Sequence, residues 1–99
     1  MSDQPNVLIT DSSVVKLPRG VRLRKDPVRD HMVLLAPERA MALDDIAVVI
    51  VQALDGVKSV DVLSQEFSEK FNAPKNQIAQ DIKAFLTELS NRRMLEIVQ

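Results

Sequence analysis

Apolar and charged residues alternate along Val21-Arg22-Leu23-Arg24-Lys25, the period-two pattern of a strand with Val21 and Leu23 facing a core. Leu17-Pro18-Arg19-Gly20 ahead of it is a turn, and Pro27 to Asp30 behind it supplies a hairpin turn. Residues 31–36 form a second strand, in which Met32 to Ala36 is apolar throughout. A strand apolar on both faces is covered on both, or becomes covered when a partner arrives. Pro37 cannot donate to a ladder and ends this strand. Arg39-Ala40-Met41-Ala42-Leu43 then reads as a short third strand at a sheet edge. The unpaired backbone of such an edge must be protected, or it serves to bind another chain.

Beyond this strand the period changes. Asp44 or Asp45 caps a helix over Ile46 to Leu54, and Asp55-Gly56 ends it. The β-branched run Ile46, Val48, Val49, Ile50 and Val51 would also suit a strand; the acidic start, the glycine stop and the length favour a buried central helix. Ser59 caps a second helix from Val60 to Phe71, with Leu63, Phe67 and Phe71 four apart on one face. A turn at Asn72-Ala73-Pro74 opens the longest helix, which runs to about Arg93, with Pro74 tolerated in the first turn. Ile78, Ile82, Phe85, Leu86 and Leu89 make its apolar stripe, and Leu95 to Val98 is long enough for a final short strand. Pro5 and Asp11-Ser12-Ser13 break the small clusters Val7-Leu8-Ile9 and Val14-Val15, so residues 1–16 read as a flexible N-terminal segment before a single domain over residues 17–99. The predicted class is α+β and winged-helix-like: a three-stranded antiparallel sheet followed by three helices, the last two in a helix-turn-helix layout.

Composition narrows the chemistry. A chain of 99 residues makes one modest core. There is no cysteine, which excludes disulfides, thiolate metal sites and cysteine nucleophiles. His31 is the lone histidine, on a strand among apolar neighbours, where a structural or exposed role is far commoner than a catalytic one. Gly20 and Gly56 are the only glycines, so no phosphate-cradling loop exists, and Asp44-Asp45 reads as a helix cap rather than a metal site. An enzyme is not expected, nor is a metal or a cofactor. The apolar run Ile46 to Val51 is far short of the roughly 20 residues that span a bilayer, and the N-terminus lacks a secretion signal, so the expectation is a cytoplasmic protein without membrane contact.

Charge is unevenly placed within a net of −1. Lys16, Arg19, Arg22, Arg24, Lys25 and Arg29 crowd the first hairpin, whereas Asp44, Asp45, Asp55, Asp61, Glu66 and Glu69 dominate the helices that follow. The plainer explanation is solvated surface; the sharper one is that Arg22, Arg24 and Lys25 steer or dock an acidic partner. A winged-helix DNA-binding regulator is the alternative. Its reading helix would carry Lys75, Lys83, Arg92 and Arg93, which are dispersed among acids, and three Phe with no Trp or Tyr offer little for base stacking. Nucleic acid is therefore not the expected partner.

The edge strand favours binding a polypeptide. Arg39, Met41 and Leu43 point one way and Ala40 and Ala42 the other. If the larger set plugs the core, the alanines leave a shallow space that the third helix can wall. The plainer alternative is that Val7 to Thr10 covers the edge.

Taken together, Leu17-Pro18-Arg19-Gly20-Val21-Arg22-Leu23-Arg24, Val33-Leu34-Leu35-Ala36-Pro37-Glu38-Arg39, Asp55-Gly56, and Asp81 with Phe85-Leu86 and Leu89 resemble the PqqD family over about residues 17–95. The helical half is also similar to the wider class of RiPP precursor recognition elements. That resemblance implies a non-catalytic peptide chaperone of pyrroloquinoline quinone biosynthesis. Such a chaperone binds the ribosomal precursor peptide PqqA and delivers it to the radical-SAM enzyme PqqE, which links a Glu and a Tyr of the peptide. Relatives take leader peptides as an added strand between the third strand and the third helix. On this chain that implies a peptide along Arg39, Ala40, Met41, Ala42 and Leu43, with Ile78, Ile82, Phe85 and Leu89 as candidate wall residues that the sequence does not divide between groove and core. A monomer or weak homodimer is expected. The family usually has a glycine just after the long helix, where this chain reads Arg92-Arg93-Met94-Leu95.

Overall fold

A computed structural model describes residues 8–98. The chain runs β1 (Val14–Lys16), β2 (Arg22–Asp26), β3 (His31–Ala36), β4 (Arg39–Leu43), α1 (Asp45–Gln52), α2 (Val60–Phe71), α3 (Lys75–Asn91) and β5 (Glu96–Val98). Strands β2, β3 and β4 form an antiparallel meander in that order, followed by the three helices, as the pattern predicts. The central Leu34 pairs with Leu23 on one side and Met41 on the other, and is fully buried. Period two then puts Met32 and Leu43 on the same inner face, while Arg22-Leu35-Ala40 and Arg24-Val33-Ala42 form rows across the outer face.

Local chemistry places the breaks. Asp26 Oδ1 accepts from the Val28 and Arg29 amides at 2.9 and 3.3 Å and shapes the β2–β3 turn, where Asp30 takes a φ of 56°. Asp55 Oδ1 does the same for Val57 and Lys58 after α1. Both carboxyls sit below their ordinary value of 3.8, chiefly because those amide hydrogen bonds favour the charged form. A depressed folded-state pKa stabilises the fold above the unfolded value, and this contribution is lost as the pH falls through the lowered pKa, below 3.8. Asp44 caps α1 by accepting from Ala47 N at 2.8 Å, and Ser59 caps α2 by accepting from Val62 N at 3.2 Å. Gly56, at φ 75°, donates its amide to Val15 O, and a Cβ there would lie 3.3 Å from Lys16 Cδ. Both the conformation and the close approach call for glycine.

Helix α3 ends where a glycine is missing. Arg93 N donates to Ser90 O at 3.0 Å and Met94 N to Leu89 O at 2.8 Å, the paired bonds of a Schellman motif, with Arg93 in the left-handed region at φ 60°. Leu89 and Met94, both fully buried, supply the hydrophobic contact that goes with the motif. A non-glycine residue there carries strain of about 1–2 kcal/mol. Arg93→Gly is therefore expected to raise stability by roughly 0.5–1 kcal/mol, read by denaturant unfolding; an unchanged or lowered midpoint would show that the Arg93 side chain offsets the strain.

The sequence pattern places a domain boundary at residue 17, but the packing begins earlier. Strand β1 pairs antiparallel with β5 in a second, two-stranded sheet, matching Val15 with Ile97. Ile9 and Val15 are buried, the Val60 and Asp61 amides donate to Ser13 O and Asp11 O, and Asp11 pairs with Lys83 at 3.0 Å. The partner of β1 lies at the far end of the chain, so nothing in the local pattern announces this strand. Val7 lies outside the described residues, while Leu8 to Thr10 do not pair with β4. The core joins these N-terminal residues to Leu34, Val60, Leu63, Ile82, Leu86, Leu89 and Met94. Among the described residues no helix is long and apolar enough to cross a membrane.

Candidate functional site

Among the described residues, strand β4 is bonded to β3 and to no strand on its other side. The pair Ala36–Arg39 closes a two-residue turn at Pro37-Glu38, so these two residues exchange both backbone hydrogen bonds, and the pairing alternates from there. Met41 and Leu43 consequently direct their backbone groups at Leu34 and Met32. Ala40 and Ala42 turn their N–H and C=O outward, away from the sheet. Both alanines are exposed, whereas Met41 is half-buried and Leu43 buried. The edge therefore offers two outward donor–acceptor pairs on residues whose own side chains are small.

Beside this edge lies an open cavity of about 420 Å³, lined by Met41, Ala42 and Leu43 of β4, Asp44, Ile46, Ala47 and Ile50 at the start of α1, and Asp81 and Phe85 of α3. Apolar residues dominate the lining and its charges are carboxylates, a combination that suits a chain presenting apolar side chains.

The structure divides the candidate wall residues. Phe85, half-buried, lines the cavity; Ile78, also half-buried, lines a neighbouring hollow with the nearly inaccessible Ile82 at its base. Leu89 is fully buried, lines neither hollow and belongs to the core cluster with Leu86 and Met94, not to the groove wall. Arg39 also departs from expectation. Its Nη1 donates to Arg92 O at 2.6 Å, so the side chain ties the start of β4 to the C-terminus of α3, where exposed carbonyls attract a cation. Asp44, Ile46, Ala47, Ile50 and Asp81 also line the cavity, and Ile46 is 58 % accessible; no local sequence signal marks them, because their place follows from how α1 and α3 meet β4.

The three basic hairpin residues do not form one patch. Arg22 and Arg24 share the outer sheet face, whereas Lys25 falls in the inner row opposite Met32 and pairs with Asp30 at 3.1 Å. Among the described residues no cluster of His, Asp and Glu is placed to hold a metal ion.

The fold and site together define a class: a small winged-helix-like α+β domain with an open groove between a strand edge that is unpaired among the described residues and its longest helix. The chain belongs to the PqqD family, whose profile, described as coenzyme PQQ synthesis protein D, matches residues 31–95. It is 65% identical over 92 residues, 93% of this chain and 94% of the other, to the PqqA binding protein of Rhizobium meliloti (strain 1021). The solution structure of the PqqD truncation of Methylobacterium extorquens PqqCD, described as a functional and stand-alone RiPP recognition element, is similar with a TM-score of 0.78 and 43% identity, over 89% of this chain and 94% of that one. The crystal structure of PqqD from Xanthomonas campestris gives a TM-score of 0.58 and 41% identity, over 89% and 98%.

Proposed function

We propose that this protein is a non-catalytic chaperone that binds the precursor peptide PqqA by strand addition along β4 and presents it to the radical-SAM enzyme PqqE in pyrroloquinoline quinone biosynthesis. The observation that carries the reading is the pairing of outward Ala40 and Ala42 backbone groups with an apolar cavity at the same edge. Relatives described as PqqA binding proteins and as a RiPP recognition element support the choice of peptide. Backbone bonds contribute a net of about 1 kcal/mol each, so side chains seated in the cavity, at about 1.5–3 kcal/mol apiece, supply much of the affinity. Arg22 and Arg24 lie on the outer sheet face, which leaves them accessible to an enzyme while the groove is filled.

The DNA-binding alternative is less well supported by this structure. Three of the four basic residues of the would-be reading helix are held in ion pairs, Lys75 with Asp61, Lys83 with Asp11 and Arg92 with Glu88. Titrating PqqA into isotopically labelled protein is expected to give saturable shifts concentrated at Ala40, Ala42 and Phe85. Absence of saturation at tens of micromolar peptide, or shifts confined to the outer sheet face, would defeat the proposal.

A further inference from the structure

A second hollow of about 290 Å³ adjoins the β4 cavity, and the two share Ile46, Ile50 and Asp81 in their linings. The second hollow is closed on its far side by Phe67, Phe71 and Ile78, so the groove does not stop at the end of β4 but continues between α1, α2 and α3. Large apolar side chains stand exposed along it: Ile46 at 58 % and Phe71 at 42 %. Phe71 packs against its neighbour Phe67, with ring centroids 5.9 Å apart, while Lys70 Nζ lies over its ring at 5.7 Å without lining the hollow. Among the described residues no lysine or arginine lines either hollow, and Asp81 lines both. Gln77 Nε2 donates to Asp81 Oδ1 at 3.2 Å, and no hydrogen bond within the described residues uses the other carboxylate oxygen.

We infer that the groove reads a two-anchor peptide: one apolar side chain in the β4 cavity, a second in the Phe71–Ile78 hollow, and a Lys or Arg between them on Asp81. The inference rests on the strand-addition reading and extends it past the end of the strand. Phe85 and Ile78, which mark the two hollows, are seven residues apart on α3, or about 10.5 Å at 1.5 Å per residue. An extended peptide covers that distance in about three to four residues, and period two puts the anchors on one face at a spacing of about four, with the basic residue two along from each. The specificity is then for an apolar–basic–apolar segment, since an acidic residue at the middle position would face Asp81.

The test uses PqqA titrations of the intact protein. Phe71→Ser and Asp81→Lys are each expected to weaken binding about tenfold, and of PqqA variants carrying Glu at single positions in turn, one is expected to regain affinity for Asp81→Lys only. Both positions are exposed, and a thermal melt confirms that each variant is folded. A shift map of the unmutated protein should also show Phe71 and Ile78 moving together with Ala42. If Ala42→Pro loses binding while Phe71→Ser and Asp81→Lys keep wild-type affinity, the second anchor is wrong and strand addition stands. If Ala42→Pro also binds normally, both readings fall.

Discussion

Ala42→Pro is expected to lower affinity for PqqA about tenfold or more while leaving the fold intact. Ala42 lies in a pair that makes no hydrogen bond to β3, so its N–H points to the free edge and its loss breaks nothing inside the sheet. Proline there removes a donor that an added strand needs and places a ring where the peptide backbone must approach. One lost bond at about 1 kcal/mol, together with that obstruction, accounts for a tenfold change, which corresponds to about 1.4 kcal/mol. Met41→Pro is the instructive contrast, since Met41 donates inward to the strand that carries Leu34. That change is expected to cost about 3 kcal/mol or more of stability, because it breaks the meander itself. Calorimetric titration with PqqA and thermal melts of both variants separate the effects. Wild-type affinity in folded Ala42→Pro would mean that the peptide does not lie along β4.

The second large effect concerns Leu89. Its side chain is fully accounted for by the core, so Leu89→Ala is expected to destabilise the protein by about 2–5 kcal/mol, with unchanged peptide affinity in the fraction that remains folded. Phe85→Ala should behave the other way. Phe85 is half-buried and lines the β4 cavity, so truncation removes part of the surface on which a peptide side chain rests while costing the fold less. Urea unfolding combined with PqqA titration distinguishes the two. A Leu89→Ala protein that unfolds like wild type but loses affinity would reverse the assignment and return Leu89 to the groove. The contrast matters because the two residues lie four apart on one helix face and look equivalent in the sequence.

How much of the site was legible differs from residue to residue. The edge strand could be read from Pro37 and the alternation that follows it, and helix α2 from Ser59 and the four-residue spacing of Leu63, Phe67 and Phe71, because each depends on chemistry within a few residues. The inward and outward backbone sets of β4 required the register with β3, since only the closing pair Ala36–Arg39 decides which alternate residues face the edge. The place of Arg39 in the strand puts it along the peptide, yet its hydrogen bond goes to Arg92, 53 positions away. Likewise proximity in the chain groups Lys25 with Arg22 and Arg24, although the parity of the strand puts it on the other face, where it pairs with Asp30. Strand β1 escaped notice for the same reason as Arg39: its partner lies at the opposite end of the chain.

The sequence by itself determined the α+β class, the order of elements, the capped helix starts, the turn at Pro37 and the absence of cysteine chemistry, because periodicity, capping and turn preference act over one or two turns of chain. Only the tertiary structure decided that residues 9–16 belong to the packed domain, that Leu89 is core while Phe85 and Asp81 line a groove, and that this groove runs on past β4 to Phe71. Those outcomes depend on which distant elements meet and how a helix is rotated against its neighbours, and contact between residues far apart in the chain leaves no local mark on the sequence.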